Sequence, residues 1–203
     1  MDHADHVALL RAGVATWGGV WADLGAGRGA FTLALADLLG PGSTVHAVDL
    51  DAAALRDNAA TFGRRFPGVS IQTHATDFTR ALPFAIASLD GVVMANSLHF
   101  LRDGAKEPVL RSVIAAIRPG GRFILVEYGA DRGNPWVPHP LSFETWTRLA
   151  ADVGLVRTHE IGRVPSRFLG SIYAAASDVP EGGAASGETD SGAVPADRQA
   201  GSP

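Results

Sequence analysis

Short apolar runs alternate along the chain with stretches whose apolar positions recur every three or four residues. The runs predict strands over residues 20–24, 44–48, 69–74, 89–95, 122–128, 155–161 and 168–176, because a continuous apolar segment of this length reads as a buried strand. The periodic stretches predict helices over 29–39, 51–66, 106–117 and 142–153. Their ends are marked by Gly40-Pro41, by Asp49 or Asp51 near an N-cap, by Pro119-Gly120-Gly121, and by Ser142 and Gly154. A short helical segment over about residues 3–15 precedes the first strand and is placed to fold over a site at the sheet edge. Strands joined by helices predict an α/β fold with a mostly parallel sheet covered on both faces. No helix separates the last two strands, so they are expected to pair as an antiparallel hairpin across residues 162–167.

Residues 178–203 (DVPEGGAASGETDSGAVPADRQAGSP) lack any aromatic and are expected to form a disordered acidic low-complexity tail, leaving residues 1–177 as one domain. That tail holds five acids and one base, so the rest of the chain is formally neutral with 16 of each. Nucleic-acid binders draw most of their affinity from a basic surplus, and none exists here, so no nucleic-acid partner is expected. Lys106 is the one lysine. The absence of cysteine excludes disulfides, thiolate metal sites and cysteine nucleophiles. No apolar run reaches membrane-spanning length, and Met1 is followed by Asp2, His3 and Asp5 rather than a basic and apolar leader. A soluble cytoplasmic protein with no membrane partner is the expectation.

The strongest local signal is Asp23-Leu24-Gly25-Ala26-Gly27-Arg28-Gly29, where the first strand turns into the first helix of the sheet. Glycines there permit a sharp turn and close approach of a ligand to main-chain N–H groups, and the helix N-terminus behind them favours negative charge. Asp49 ends the second strand, where a carboxylate can accept both hydroxyls of a ribose, or can cap the next helix together with or instead of Asp51. Asp77-Phe78 follows the third strand, placing an acceptor for an adenine amino group beside a ring, or simply capping a turn.

With Asn96-Ser97-Leu98-His99 and Arg118-Pro119-Gly120-Gly121-Arg122-Phe123, these segments resemble the Class I S-adenosylmethionine-dependent methyltransferases over residues 15–176. The resemblance implies a Rossmann-like seven-stranded sheet of order 3-2-1-4-5-7-6 with strand seven antiparallel, and S-adenosyl-L-methionine as cofactor. It also implies that Gly25 and Gly27, with Asp23, Ala26 and Gly29, pass the methionine end. Asp49 with Leu50 would hold the ribose, Asp77 and Phe78 the adenine, and Asn96 the backbone near the sulfonium. A nicotinamide-dependent reductase is the rival enzyme reading. The long lead before the first strand, Asp23 beside the loop and the lack of any Tyr-x-x-x-Lys pair count against it. A non-catalytic protein that keeps the cofactor fold is the other alternative.

Ligands of open α/β sheets bind beyond the carboxyl ends of the parallel strands. That rule selects residues 25–29, 49–51, 77–79, 96–100 and 127–140, together with 164–167 as the exit from strand six. Methyl transfer from a sulfonium is an in-line displacement that mainly requires alignment and exclusion of water, with a base only where the acceptor must lose a proton. His99, Glu127 and Tyr128 are the candidate catalytic groups. Packing is the competing role for His99, and pairing with an arginine such as Arg167 the competing role for Glu127. Phe100, Trp136, His139 and Arg167 are candidate substrate contacts. Trp136 sits in a proline-rich loop over 131–140, and Trp146 and Phe168 complete an aromatic set able to line an apolar pocket for a small-molecule acceptor. Asn96, Glu127 and Asp131 imitate a metal-binding acid cluster only loosely, so no metal is expected.

Overall fold

The computed structural model of the chain describes residues 1–14 and 18–181. The elements run α1 (His3–Arg11), β1 (Val20–Leu24), α2 (Ala30–Leu39), β2 (Thr44–Asp49), α3 (Ala52–Arg65), β3 (Ser70–Ala75), β4 (Leu89–Ala95), α4 (Asp103–Ala116), β5 (Ile117–Tyr128), α5 (Phe143–Asp152), β6 (Val156–Ser166) and β7 (Gly170–Asp178). They build one seven-stranded sheet of order β3-β2-β1-β4-β5-β7-β6. All neighbours are parallel except β7, which is antiparallel to both β5 and β6.

Alternation along the strands separates two apolar layers. Phe123 and Leu125 of β5 face α4 and α5, with Leu110, Val113, Trp146 and Ala150 above them. Ile124 and Val126 face the other way, toward Leu9 and Leu10 of α1, Leu35 of α2 and Phe62 of α3. Both faces are covered, which is why the central strands read as unbroken apolar runs.

Several boundaries differ from the sequence expectation, each for a local reason. Helix α4 begins at Asp103 rather than at Lys106, with Pro108 inside it. The buried Lys106 ammonium donates to Asp103 Oδ1 at 2.7 Å, which ties down the first turn ahead of Pro108, which has no backbone donor. The expected helix stop at Pro119-Gly120-Gly121 lies within β5 instead. Ile117 already pairs with Leu89, the register then shifts, and Arg122 pairs with Gly91.

The β6–β7 turn is only Arg167–Leu169, so Val164, Pro165 and Ser166 belong to β6 and not to an exit loop. Two register irregularities let the edge strand carry Gly162 and Pro165, and an edge is where a sheet tolerates proline.

Helix α1 ends at Arg11, short of the expected residue 15, which lies outside the described residues. At the other end, the buried Asp178 closes β7 and pairs with Arg122 at 3.0 Å and Arg157 at 2.6 Å, so the strand runs one residue past the expected domain boundary. The expected tail from residue 182 onward also lies outside the described residues. Among the described residues no helix is long and apolar enough to cross a membrane.

Candidate active site

The glycine loop leaves β1 pinned to its neighbours. The N–H groups of Gly25 and Ala26 both donate to the Val48 carbonyl of β2, at 2.9 and 3.0 Å. Gly25 has φ +85°, and a Cβ there would collide with Ser97, whose hydroxyl donates to the Leu24 carbonyl at 2.7 Å. Only glycine satisfies both the conformation and the close approach of the β4 loop. At Gly27 the backbone is again left-handed, at φ +50°, but the space where a side chain would stand is open. Its N–H donates to Asp49 Oδ2 at 2.8 Å.

The two readings of Asp49 separate here. Asp51 is the N-cap of α3, accepting from the N–H of Ala53 and Ala54. Asp49 is half-buried at the cavity edge, with Oδ1 accepting from Asp51 N at 2.8 Å. Each of its oxygens accepts one hydrogen bond and so retains capacity for another.

Asp23 is buried below the loop. One oxygen accepts the Thr32 hydroxyl at 2.6 Å, and the other, Oδ1, has no partner although it is sealed from solvent. Burial pushes its carboxyl up to about 7, with the charge of Asp49 adding and the Thr32 hydrogen bonds opposing. Asn96, just past β4, holds a left-handed backbone at φ +52° and also presents a sealed oxygen without a partner. Backbone strain in non-glycine residues and unsatisfied buried acceptors both concentrate at functional sites.

Asp77 uses Oδ1 to accept the Thr79 N–H and hydroxyl, which lowers its carboxyl below the usual range. The turn-capping role is thus present, and Oδ2 is left over.

Gly25, Asp49, Leu50, Asp77, Phe78, Asn96 and Phe100 line one cavity of about 560 Å³ at the carboxyl ends of the strands, a size that holds a small organic molecule. A second hollow of about 300 Å³ meets it at Gly25 and Asn96 and is lined by Asp23, Ala26, Gly27 and Arg28. Gly29 is the N-cap of α2 in the left-handed conformation.

Sequence reasoning missed two groups of residues at these hollows. Leu101, Ala105 and Val109 line the larger one. Ala105 and Val109, four apart, are a helix-face signal hidden by starting α4 too late, and Leu101 lies in the turn before that helix. His6 of α1 lines the smaller one, its ring 4.7 Å from that of Phe31, and burial depresses its protonation. Helix α1 thus touches the site with one residue while packing mainly on α2 and β6.

Beyond the cavity the acceptor-side candidates divide. His99 and Glu127 are both buried and joined: Nδ1 lies 2.9 and 3.0 Å from the two carboxylate oxygens. Glu127 therefore pairs with His99 and not with Arg167, because it ends β5 beside β4 while Arg167 lies at the β6–β7 turn. Phe100 lines the cavity and packs on His99 at 4.3 Å, Tyr128 meets the imidazole edge-on at 5.6 Å, and Phe168 meets Tyr128 at 6.5 Å. Burial, then the Glu127 charge, raises the Tyr128 hydroxyl above its ordinary value.

Arg167 stacks over Phe168 at 5.5 Å. Trp136 is exposed on its loop and does not line the cavity. His139 contributes its backbone: its N–H donates to the His99 carbonyl and its own carbonyl accepts from Lys106 Nζ. Trp146 is not a pocket residue at all. It lies fully buried in the core, stacked on Phe123 at 5.5 Å. Asp131 is engaged with the Ser142 N–H, so it does not join Asn96 and Glu127 in an acid cluster.

A sheet of this order, with a glycine loop after β1 and carboxylates ending β2 and following β3, defines a Class I methyltransferase fold. Residues 22–121 match the family model described as a methyltransferase domain. Over 113 residues the chain is 30% identical to the ubiquinone/menaquinone biosynthesis C-methyltransferase UbiE of Pasteurella multocida, a stretch covering 56% of this chain and 41% of that one. Among solved structures it resembles a Burkholderia thailandensis 1,6-didemethyltoxoflavin-N1-methyltransferase with bound 1,6-didemethyltoxoflavin and S-adenosylhomocysteine. That match has TM-score 0.71 and 22% identity, covering 89% of this chain and 79% of the other. It also resembles an S-adenosylmethionine-dependent methyltransferase from Aquifex aeolicus, at TM-score 0.66 and 17% identity, covering 86% and 89% respectively. In family model, relative and solved structures alike, the chain is similar to Class I S-adenosylmethionine-dependent methyltransferases.

Proposed function

We propose that the chain transfers the methyl group of S-adenosylmethionine to a small-molecule acceptor by in-line displacement. The carrying observation is the pairing of unsatisfied acceptors with a cavity of fitting size. Sealed Asp23 Oδ1 and Asn96 Oδ1 and the half-buried Asp49 carboxylate converge around Gly25 and Gly27. This donor-poor, acceptor-rich wall suits a cationic ligand with hydroxyls to donate. Asp23 would take the ammonium of the methionine part, Asp49 the ribose hydroxyls, and Asp77 Oδ2 the adenine amino group, with Phe78 and Leu50 against the ring and sugar. Asn96 would sit by the sulfonium, and Ala26 and Gly29 would shape the loop.

When bound, the cofactor supplies an activated methyl whose leaving group needs no protonation. The protein's share is to hold the acceptor in line and to keep water out. Phe100, Tyr128 and Phe168 form an aromatic wall for that acceptor, with Trp136, His139 and Arg167 farther along the same edge. The bound didemethyltoxoflavin of the Burkholderia neighbour supports a small-molecule acceptor here.

Calorimetric titration with S-adenosylhomocysteine tests the binding half of the proposal. Asp49→Ala is expected to weaken that binding by ~1–3 kcal/mol, the scale of hydrogen bonds to a charged group. Unchanged affinity removes Asp49 from the ribose role, and no binding at millimolar ligand rejects the reading. Methyl-labelled S-adenosylmethionine incubated with a metabolite extract is expected to label a small molecule. Absence of label in every fraction would instead support a protein that binds the cofactor without catalysis.

A further inference from the structure

We propose that His99, oriented by Glu127, is the base that takes a proton from the methyl acceptor, which restricts the acceptor to groups whose reacting atom still carries hydrogen at neutral pH. This rests on the methyltransferase reading above and deepens it. Glu127 is held by backbone donors on both of its oxygens. Its Oε1 accepts the backbone N–H of His99 at 3.0 Å, and its Oε2 accepts the backbone N–H of Tyr128 at 2.9 Å. Both oxygens are therefore acceptors already, and a carboxylate in a setting of donors has no proton to offer the imidazole. The hydrogen between Glu127 and His99 belongs to Nδ1. In the neutral ring Nε2 is then the lone-pair nitrogen, and it makes no hydrogen bond among the described residues.

Glu127 is fully buried, and among the described residues no lysine or arginine pairs with it. The Tyr128 and Tyr173 hydroxyls beside it are both pushed up by burial and by the Glu127 charge, so they stay neutral and add no second negative charge. The Arg163 guanidinium lies 5.6 Å over the Tyr173 ring and opposes that rise, while Asp131 and Glu160 add to it. A buried carboxylate is costly without a partner charge, and an imidazolium formed at His99 supplies one at hydrogen-bond distance. This is the orienting logic of an acid–histidine pair: the carboxylate fixes the tautomer and steadies the charge that forms.

The pair also lies where the chemistry needs it. His99 is three residues past Asn96, under Phe100, which lines the cofactor cavity, and its side chain keeps 3% exposure. We assign that window to the Nε2 edge. In the balanced step, the acceptor's X–H bond breaks as Nε2 takes the proton. The freed electron pair forms the X–CH₃ bond, and the C–S bond breaks with its pair going to sulfur. The positive charge moves from sulfonium to imidazolium, against Glu127. Hydroxyls, ring N–H groups and C–H acids qualify as acceptors. Thioethers and tertiary amines, which have no proton to lose, do not need this pair.

The test needs no knowledge of the acceptor. Protein with ¹⁵N-labelled histidine, saturated with S-adenosylhomocysteine, is read by long-range proton–nitrogen NMR at about pH 8, above the ordinary imidazole range. The expected signature for His99 is a protonated Nδ1 and an unprotonated Nε2. In parallel, diethyl pyrocarbonate is applied and modified histidines are mapped by mass spectrometry, with the exposed His159 as internal reference. His99 is expected to react, and Glu127→Gln to slow its reaction by about tenfold or more through loss of the oriented tautomer. Should that variant not fold, the tautomer and reactivity of the unaltered protein still decide the matter. A His99 that resists the reagent while His159 reacts, or that carries its proton on Nε2, overturns the proposal. Calorimetry with S-adenosylhomocysteine on the same sample keeps the failures apart. Binding with an inert His99 sinks only the base, and no binding sinks the methyltransferase reading itself.

Discussion

Asp23 illustrates how much a single residue can carry. Its carboxyl is fully buried, has one hydroxyl partner, and is pushed up to about 7. The folded state therefore holds a proton that the unfolded chain has released, across the interval from about 4 to 7. Stability of the ligand-free protein is expected to fall as pH rises through that interval, by on the order of 4 kcal/mol at about 1.4 kcal/mol per unit. Asp23→Asn removes this slope and weakens cofactor binding. An ammonium group placed on Asp23 reverses the penalty by favouring the charged form, so binding S-adenosylhomocysteine near pH 6.5 is expected to release protons. Calorimetry in two buffers of different ionisation enthalpy measures that release, and zero release contradicts the ammonium role. Asp23, Asp49 and the glycines were legible in the sequence because each sits at a fixed offset from a strand end. The union of His99 with Glu127 was not, since residues 28 apart meet only once β4 and β5 pair.

Among the elements, the loop that leaves β3 is the one most exposed to pH. His46 of β2 and His74 of β3 place Nδ1 and Nε2 2.9 Å apart, and Phe84 meets both rings edge-on, at 5.0 and 5.5 Å. Burial lowers both imidazoles, and the proximity of His74 lowers His46 further. Their folded-state values lie below the ordinary 6.5, so the stability they contribute is present above that pH and lost as pH falls beneath it. Hydrogen-exchange protection over residues 76–88, corrected for the intrinsic pH dependence of amide exchange, is expected to fall between pH 7 and 5 in the native protein. It should stay flat in a His46→Gln/His74→Gln double variant. A flat native profile contradicts the pairing. This trend opposes that of Asp23 over part of the range, and the local readout separates them. The strand pattern predicted the inner sheet well because its buried strands are mainly apolar, whereas the edge strands β3 and β6 are largely polar and exposed. It misplaced the ends of α4, β5 and β6, where Lys106, a register shift and an edge position let proline and glycine stay inside regular structure.

At the scale of the whole molecule, strand order decides where the chemistry sits. Adjacent β1 and β4 lead in opposite directions through the sheet, to β2 and to β5, and the cavity opens at their carboxyl ends. That site was readable before the structure, since the carboxyl edges of parallel strands follow from the alternation of strands and helices. What the sequence hid was the division of labour along the edge. Asp23, Asp49, Asp77 and Asn96 surround the hollows, His99 and Glu127 seal against each other beside them, and Trp146 retreats into the core.

A crystal structure of the protein with S-adenosylhomocysteine tests the central claim most directly. The account predicts ribose hydroxyls on Asp49, the adenine amino group on Asp77, the ammonium on Asp23 and the sulfur beside Asn96. An empty crevice under saturating ligand, or an adenosine bound with Asp49 and Asp77 untouched, would contradict it.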